Sequence, residues 1–171
     1  ANVPMLAVIR EHPRTLVLGT LASIETFVLF YLMTVFALSW GTSVLGYSRN
    51  TFLVIQLIGV VFFALAIPIS AVIAERGRRS TLIWVRIALG AFGLVMPPML
   101  SSGLVGATMA MVIGLSLMGL TYGPLGTTLS ELFPTHVRYT GSSLTFNLAG
   151  IFGASLAPYI ATWLAQNYGL Q

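Results

Sequence analysis

Five long apolar stretches, residues 16–38, 52–73, 82–98, 104–129 and 141–164, leave this chain few ways to fold. Nearly all of them hold about 20 residues or more, the length an α-helix needs to cross a hydrocarbon core about 30 Å thick. Only Glu25 and Arg86 bring charge into them. Lipid offers the backbone no hydrogen-bond partner, so a spanning segment must be a helix or part of a closed barrel. None of the stretches alternates with the period of two that a barrel strand shows. The expected fold class is an all-α polytopic membrane protein with five transmembrane helices in one helical domain.

Composition closes off the alternatives. Charged residues make up 7% of the 171, against about a quarter in soluble domains. The absence of cysteine excludes disulfides, thiolate chemistry and Cys-ligated metal. The basic residues are all arginine and sit in clusters flanking apolar runs. This marks membrane topology rather than a nucleic-acid surface. Catalysis at membrane depth would need paired carboxylates, a His/Glu metal set or a nucleophile with its base. The spans hold one acid and no histidine, so no catalytic residue, metal site or cofactor is expected.

The arginines also set an orientation. Arg10, Arg14, Arg76, Arg78, Arg79 and Arg138 fall in segments on one side of the five spans, and Arg49 falls on the other. Under the positive-inside rule the first group is cytoplasmic, and so is the N-terminus. Arg86 lies near the same side and is expected to snorkel back to it. The stretch Ala74-Glu75-Arg76-Gly77-Arg78-Arg79 is read as a loop, as are residues 40–50. Pro97-Pro98 is read as the end of the third span, Ser101-Ser102-Gly103 as a hairpin turn, and residues 1–14 as a short polar lead-in.

Polar residues inside the spans are the candidates for function. An unpaired carboxylate at membrane depth costs several kcal/mol and by default faces protein or water. Glu25 is thus a candidate for proton coupling or for contact with a cationic or zwitterionic substrate; the alternative is a structural hydrogen bond between helices. At 100° per residue, Thr20, Ser23, Phe27, Tyr31 and Thr34 share a stripe of the first span, nearly opposite Glu25. A helix polar on two faces is expected at the centre of a bundle, against a partner domain or cavity. Tyr31, Gln56, Tyr122 and Asn147 are candidates for lining a solute path, with interhelical hydrogen bonding as the alternative. Gly119-x-x-x-Gly123 and Ala149-x-x-x-Gly153 are small-residue patterns that let helices approach closely.

One further segment carries a resemblance. Leu129-Ser130-Glu131-Leu132-Phe133-Pro134-Thr135-His136-Val137-Arg138-Tyr139, followed by Phe146-Asn147 and preceded two spans earlier by the arginine loop, resembles the metabolite–proton symporter family of the major facilitator superfamily. Over nearly the whole chain the similarity is to the seventh to eleventh helices, a partial C-terminal six-helix half of a major facilitator fold. The superfamily loop usually reads Gly-x-x-x-Asp-Arg-x-Gly-Arg-Arg. Here Ala71 replaces its first glycine, Glu75 replaces the aspartate, and one residue before Gly77 is missing.

The resemblance implies a secondary transporter of the bacterial inner membrane, moving a small polar metabolite with protons by alternating access. It implies an N-terminal half as partner and a twelfth helix beyond Gln171. The other reading is a non-transporting packing half that needs a partner half for activity. The resemblance also implies that Glu75, Arg76, Arg78, Arg79, Glu131 and Arg138 form a cytoplasmic charge network acting as a gate; the alternative is a solvated topology anchor. His136 is read as a loop residue rather than a ligand. Organic acids and zwitterionic osmolytes both fall within the substrate classes implied.

Overall fold

A computed structural model describes residues 4–168, apart from the side chains of Pro4, Arg76, Arg78, Ala165, Gln166 and Tyr168. It is a bundle of five helical spans: Pro13–Ser43, Arg49–Glu75, Arg79–Ser101, Leu104–Glu131 and Arg138–Leu164. A short helix, α1 (Pro4–Glu11), precedes them. The first span is composite: α2 (Pro13–Tyr31), a π-helical turn (Leu32–Phe36) and α3 (Ala37–Ser43). The second and third spans form α4 (Arg49–Ser101), the fourth is α5 (Leu104–Glu131) and the fifth lies in α6 (Arg138–Tyr168). The chain is an all-α polytopic membrane protein.

Several boundaries differ from the expectation, each for a local reason. The arginine stretch is a kink more than a loop. Helical geometry is broken inside α4 at Gly77 alone, whose backbone is extended (φ 168°, ψ 76°). The first span runs through Trp40 to Ser43 because Gly41 is buried beneath the ring of Phe52, which leaves no room for a Cβ. Thr42 Oγ1 also donates to Leu38 O (2.8 Å) within that turn. The third span passes through Pro97 and Pro98 and ends at Ser101. There the hydroxyl of Ser101 donates to both proline carbonyls (3.2 Å each) and that of Ser102 to Met99 O (2.8 Å). These hydroxyls satisfy carbonyls of the last turn, which a helix end leaves without an intrahelical N–H partner. The hairpin turn that follows depends on Gly103 at φ 98°, a backbone that side chains other than glycine resist.

Residues 4–11 form a helix where a polar lead-in was expected. Met5, Leu6, Val8 and Ile9 supply an apolar stripe, and Val8 is fully buried. It packs with Leu16, Phe133 and Val137, which joins α1 to the turn between the fourth and fifth spans.

Close helix contact is made where side chains are smallest. A Cβ at Gly119 would lie 2.6 Å from Phe63 O and 2.7 Å from Ala66 Cβ, and Gly59 abuts Met111 in the same pair of spans. The first and fifth spans meet at Gly19, beside Thr145, and at Gly153, beside Phe27 and Ile24. Both small-residue patterns therefore work as packing surfaces, the use such patterns have where lipid removes any hydrophobic drive between helices. A core of Met33, Phe52, Phe92, Met111 and Leu115 ties the first four spans together.

Candidate functional site

The first, fourth and fifth spans bring three of the four path candidates to one open face. Tyr31, Asn147, Phe27 and Phe146 line a cavity of about 350 Å³. Tyr31, Tyr122, Phe27, Phe63 and Phe146 line an adjoining one of about 380 Å³. The two cavities share Phe27, Tyr31 and Phe146, so they form one aromatic trough. Its walls are held by ring contacts: Phe27 meets Phe146 edge-on at 4.9 Å between centroids, and Phe63 meets Tyr122 at 5.9 Å. Such pairs contribute about 0.5–1.5 kcal/mol beyond area burial.

Polar groups are spaced along this trough. Among the described residues, neither the Tyr31 nor the Tyr122 hydroxyl has a hydrogen-bond partner. Asn147 donates its amide to Ser143 O (2.8 Å) one turn back and remains exposed. By contrast, Thr20 and Ser23 on the polar stripe of the first span are buried, and each hydroxyl is satisfied by its own helix at 2.8 Å. That stripe divides into a packing portion (Thr20, Ser23) and a trough-lining portion (Phe27, Tyr31).

Gln56 stands apart from the trough. Its buried amide donates to Met33 O (2.9 Å) and Thr34 O (2.7 Å). Those carbonyls lie in the π-turn, where Ala37 N–H reaches back five residues to Leu32 O and the normal ladder is interrupted. Gln56 supplies donors to a backbone that a membrane helix could not otherwise leave unsatisfied.

Glu25 is not alone. Arg86 Nε lies 2.5 Å from Glu25 Oε1, and Arg86 Nη2 donates to Ala22 O at 3.1 Å. Arg86 therefore reaches across to the first span instead of snorkelling to the membrane surface. The pair is only partly enclosed, with side-chain exposures of 39% for Arg86 and 37% for Glu25. Leu18 and Leu21 beside it are also exposed, so this face of the first span is open in the chain by itself. Sequence reasoning identified the acid and missed its partner; the one signal was that each is a lone charge inside a span.

At the arginine-rich end, Glu75, Arg79, Glu131 and Arg138 are all exposed. Arg138 Nε donates to Phe133 O at 3.4 Å across the Pro134 turn. The side chains of Arg76 and Arg78 lie outside the described residues. His136 does not stand by itself in its loop, because its ring approaches that of His12.

Five apolar spans with an aromatic, partly polar trough bordered by four of them describe a polytopic membrane protein with an open groove. The chain is 42% identical over 99% of its length to the inner membrane metabolite transport protein YhjE of Escherichia coli (strain K12), covering 40% of that protein. It is 40% identical over 99% of its length to a putative metabolite transport protein of Haemophilus influenzae, covering 42% of that one. A citrate-proton symporter of Salmonella typhi is 31% identical over 96% of the chain, which covers 39% of it. No family model matches the chain, and no solved structure matches it significantly. Over nearly its whole length the chain is similar to proteins named as metabolite transporters, in keeping with the resemblance carried by the Leu129–Tyr139 segment and the arginine stretch. It spans about 40% of the length of these relatives.

Proposed function

We propose that this chain is part of a secondary active transporter of the bacterial inner membrane, carrying a small polar metabolite together with protons by alternating access. The observation that carries this reading is the trough, where Tyr31, Tyr122 and Asn147 from three spans meet among aromatic walls. A solute leaving water needs replacement hydrogen-bond partners, and a groove at the meeting of helices is where carriers provide them. Two unpartnered phenol hydroxyls and an exposed amide are suited to that task. Homology to named transporters over nearly the whole chain supports it.

The trough is open on one side, and the chain spans about 40% of its relatives. Both observations support an N-terminal half as the partner that closes the groove. Proton coupling is supported by the citrate-proton symporter among the relatives, and Glu25 with Arg86 is the candidate for it. Proton transfer to Glu25 would break the ion pair and free Arg86, giving one switchable contact between the first and third spans. Glu75, Arg76, Arg78, Arg79, Glu131 and Arg138 are proposed as the cytoplasmic charge network, with the N-terminus on the same side.

The test is uptake by vesicles containing the full-length protein under an imposed proton gradient, with a panel of radiolabelled organic acids and betaines. At least one solute should accumulate. Tyr31→Phe, Tyr122→Phe and Asn147→Ala should each reduce its uptake by about 5- to 30-fold, the loss of one hydrogen bond of about 1–2 kcal/mol. Uptake equal to that of empty vesicles across the panel would overturn the reading.

A further inference from the structure

The chain contains two histidines, far apart in sequence, and the fold sets them side by side. His12 occupies the break between α1 and the first span, and His136 lies in the turn between the fourth and fifth spans. Their ring centroids are 6.4 Å apart, with the planes tilted by 56°. Glu11 joins them: one carboxylate oxygen and one nitrogen from each ring all lie within 4.8 Å of one another. We propose that Glu11, His12 and His136 bind one borderline divalent cation of the Zn²⁺, Co²⁺ or Ni²⁺ class, and that the ion fastens α1 to the turn before the fifth span.

Three features carry this beyond proximity. The first is a rigid base. Val8, Leu16, Phe133 and Val137 form a plug that is nearly closed to solvent beneath both ligand-bearing segments. The 133–137 turn is tied further by Val137 N donating to Pro134 O (3.1 Å) and Gly141 N to Val137 O (2.7 Å). The backbones that carry the ligands are thus already in place before any ion arrives.

The second is reach. Nitrogen and oxygen ligands bind Zn²⁺ at about 2.0–2.2 Å, which puts neighbouring donors of a tetrahedral site about 3.3 Å apart. Donors within 4.8 Å of one another need to close by at most about 1.5 Å to reach that spacing, and Glu11 and His136 are exposed, with room for their side chains to move.

The third is donor chemistry. Two imidazoles and one carboxylate favour borderline transition metals over Ca²⁺ and Mg²⁺, which want oxygen shells. Three protein ligands leave a position for water. Arg10 and Arg14 are exposed neighbours, and their charge lowers the affinity, modestly because solvent screens exposed groups.

The experiment uses full-length protein in detergent, free of any polyhistidine tag and stripped with chelator, titrated with Zn²⁺ and Co²⁺. Calorimetry should show a site that His12→Ala and His136→Ala each weaken by about tenfold or more, while Glu11→Gln weakens it less. Bound Co²⁺ should give visible absorption of low-coordinate type, lost in both histidine variants. Zn²⁺ should slow protease cleavage between α1 and the first span in the parent protein and leave His136→Ala unchanged. Magnesium should compete for none of this. Equal Zn²⁺ affinity in the parent and both histidine variants, with helical circular dichroism intact, would overturn the proposal and leave the histidines as a packed ring pair.

Discussion

Glu25 and Arg86 face each other from the first and third spans, and each is the sole charge within its apolar stretch. Removing one partner leaves the other charged and unpaired at membrane depth, which costs more than the pair itself contributes. Because both side chains are more than a third exposed, the penalty belongs at the low end. Arg86→Met should lower thermal stability in detergent by about 1–3 kcal/mol, and adding Glu25→Gln should restore part of the loss. A double variant no more stable than Arg86→Met would show that the two side chains are not coupled. In transport, Glu25→Gln should abolish proton-driven uptake and spare counterflow exchange. Proton-driven uptake unchanged across pH would remove Glu25 from the coupling step. The acid was legible in the sequence because a lone carboxylate in an apolar run is conspicuous. The ion pair was not, because residues 25 and 86 meet only through the packing of separate spans.

At the scale of the helix, the π-turn makes the first span composite. Its carbonyls at Met33 and Thr34 depend on the Gln56 amide from the second span. Gln56→Leu has nearly the same volume and no donors, so it should destabilise the detergent-solubilised protein by about 1–3 kcal/mol. Gln56→Glu should fare at least as badly, since a carboxylate brings charge and no donor to those carbonyls unless it is protonated. A Gln56→Leu variant with parental stability would show that the π-turn needs no outside donor. The length of the apolar runs located the helices, and the small-residue patterns marked their contact surfaces. They could not foresee the π-turn, the helical passage through Pro97 and Pro98, or the reduction of the arginine loop to a kink at Gly77. The π-turn depends on donors supplied by the second span, and local propensity carries no record of that.

For the whole molecule, the one-sided arginine distribution sets the orientation. The chain has no cysteine, so single cysteines at Arg49 and Arg79 report without native background from this segment. An impermeant thiol reagent applied to intact cells should label Arg49→Cys and leave Arg79→Cys unlabelled until the membrane is opened. Labelling of both from outside would overturn the topology on which the proposed cytoplasmic network rests.

Hydropathy and charge determined by themselves that this chain crosses the bilayer five times as helices, because a backbone in lipid must be hydrogen-bonded within a helix or a closed barrel and these runs lack the alternation of barrel strands. They also singled out most of the polar residues that the structure puts to use. Only the tertiary structure decided which of those share a surface: Tyr31, Tyr122 and Asn147 in the trough, Gln56 on the π-turn, Glu25 on Arg86, and His12 beside His136. Depth and stripe are local properties of one helix. Neighbourhood depends on how the glycine contacts dock one helix against another, a relation between residues that no single stretch of sequence contains.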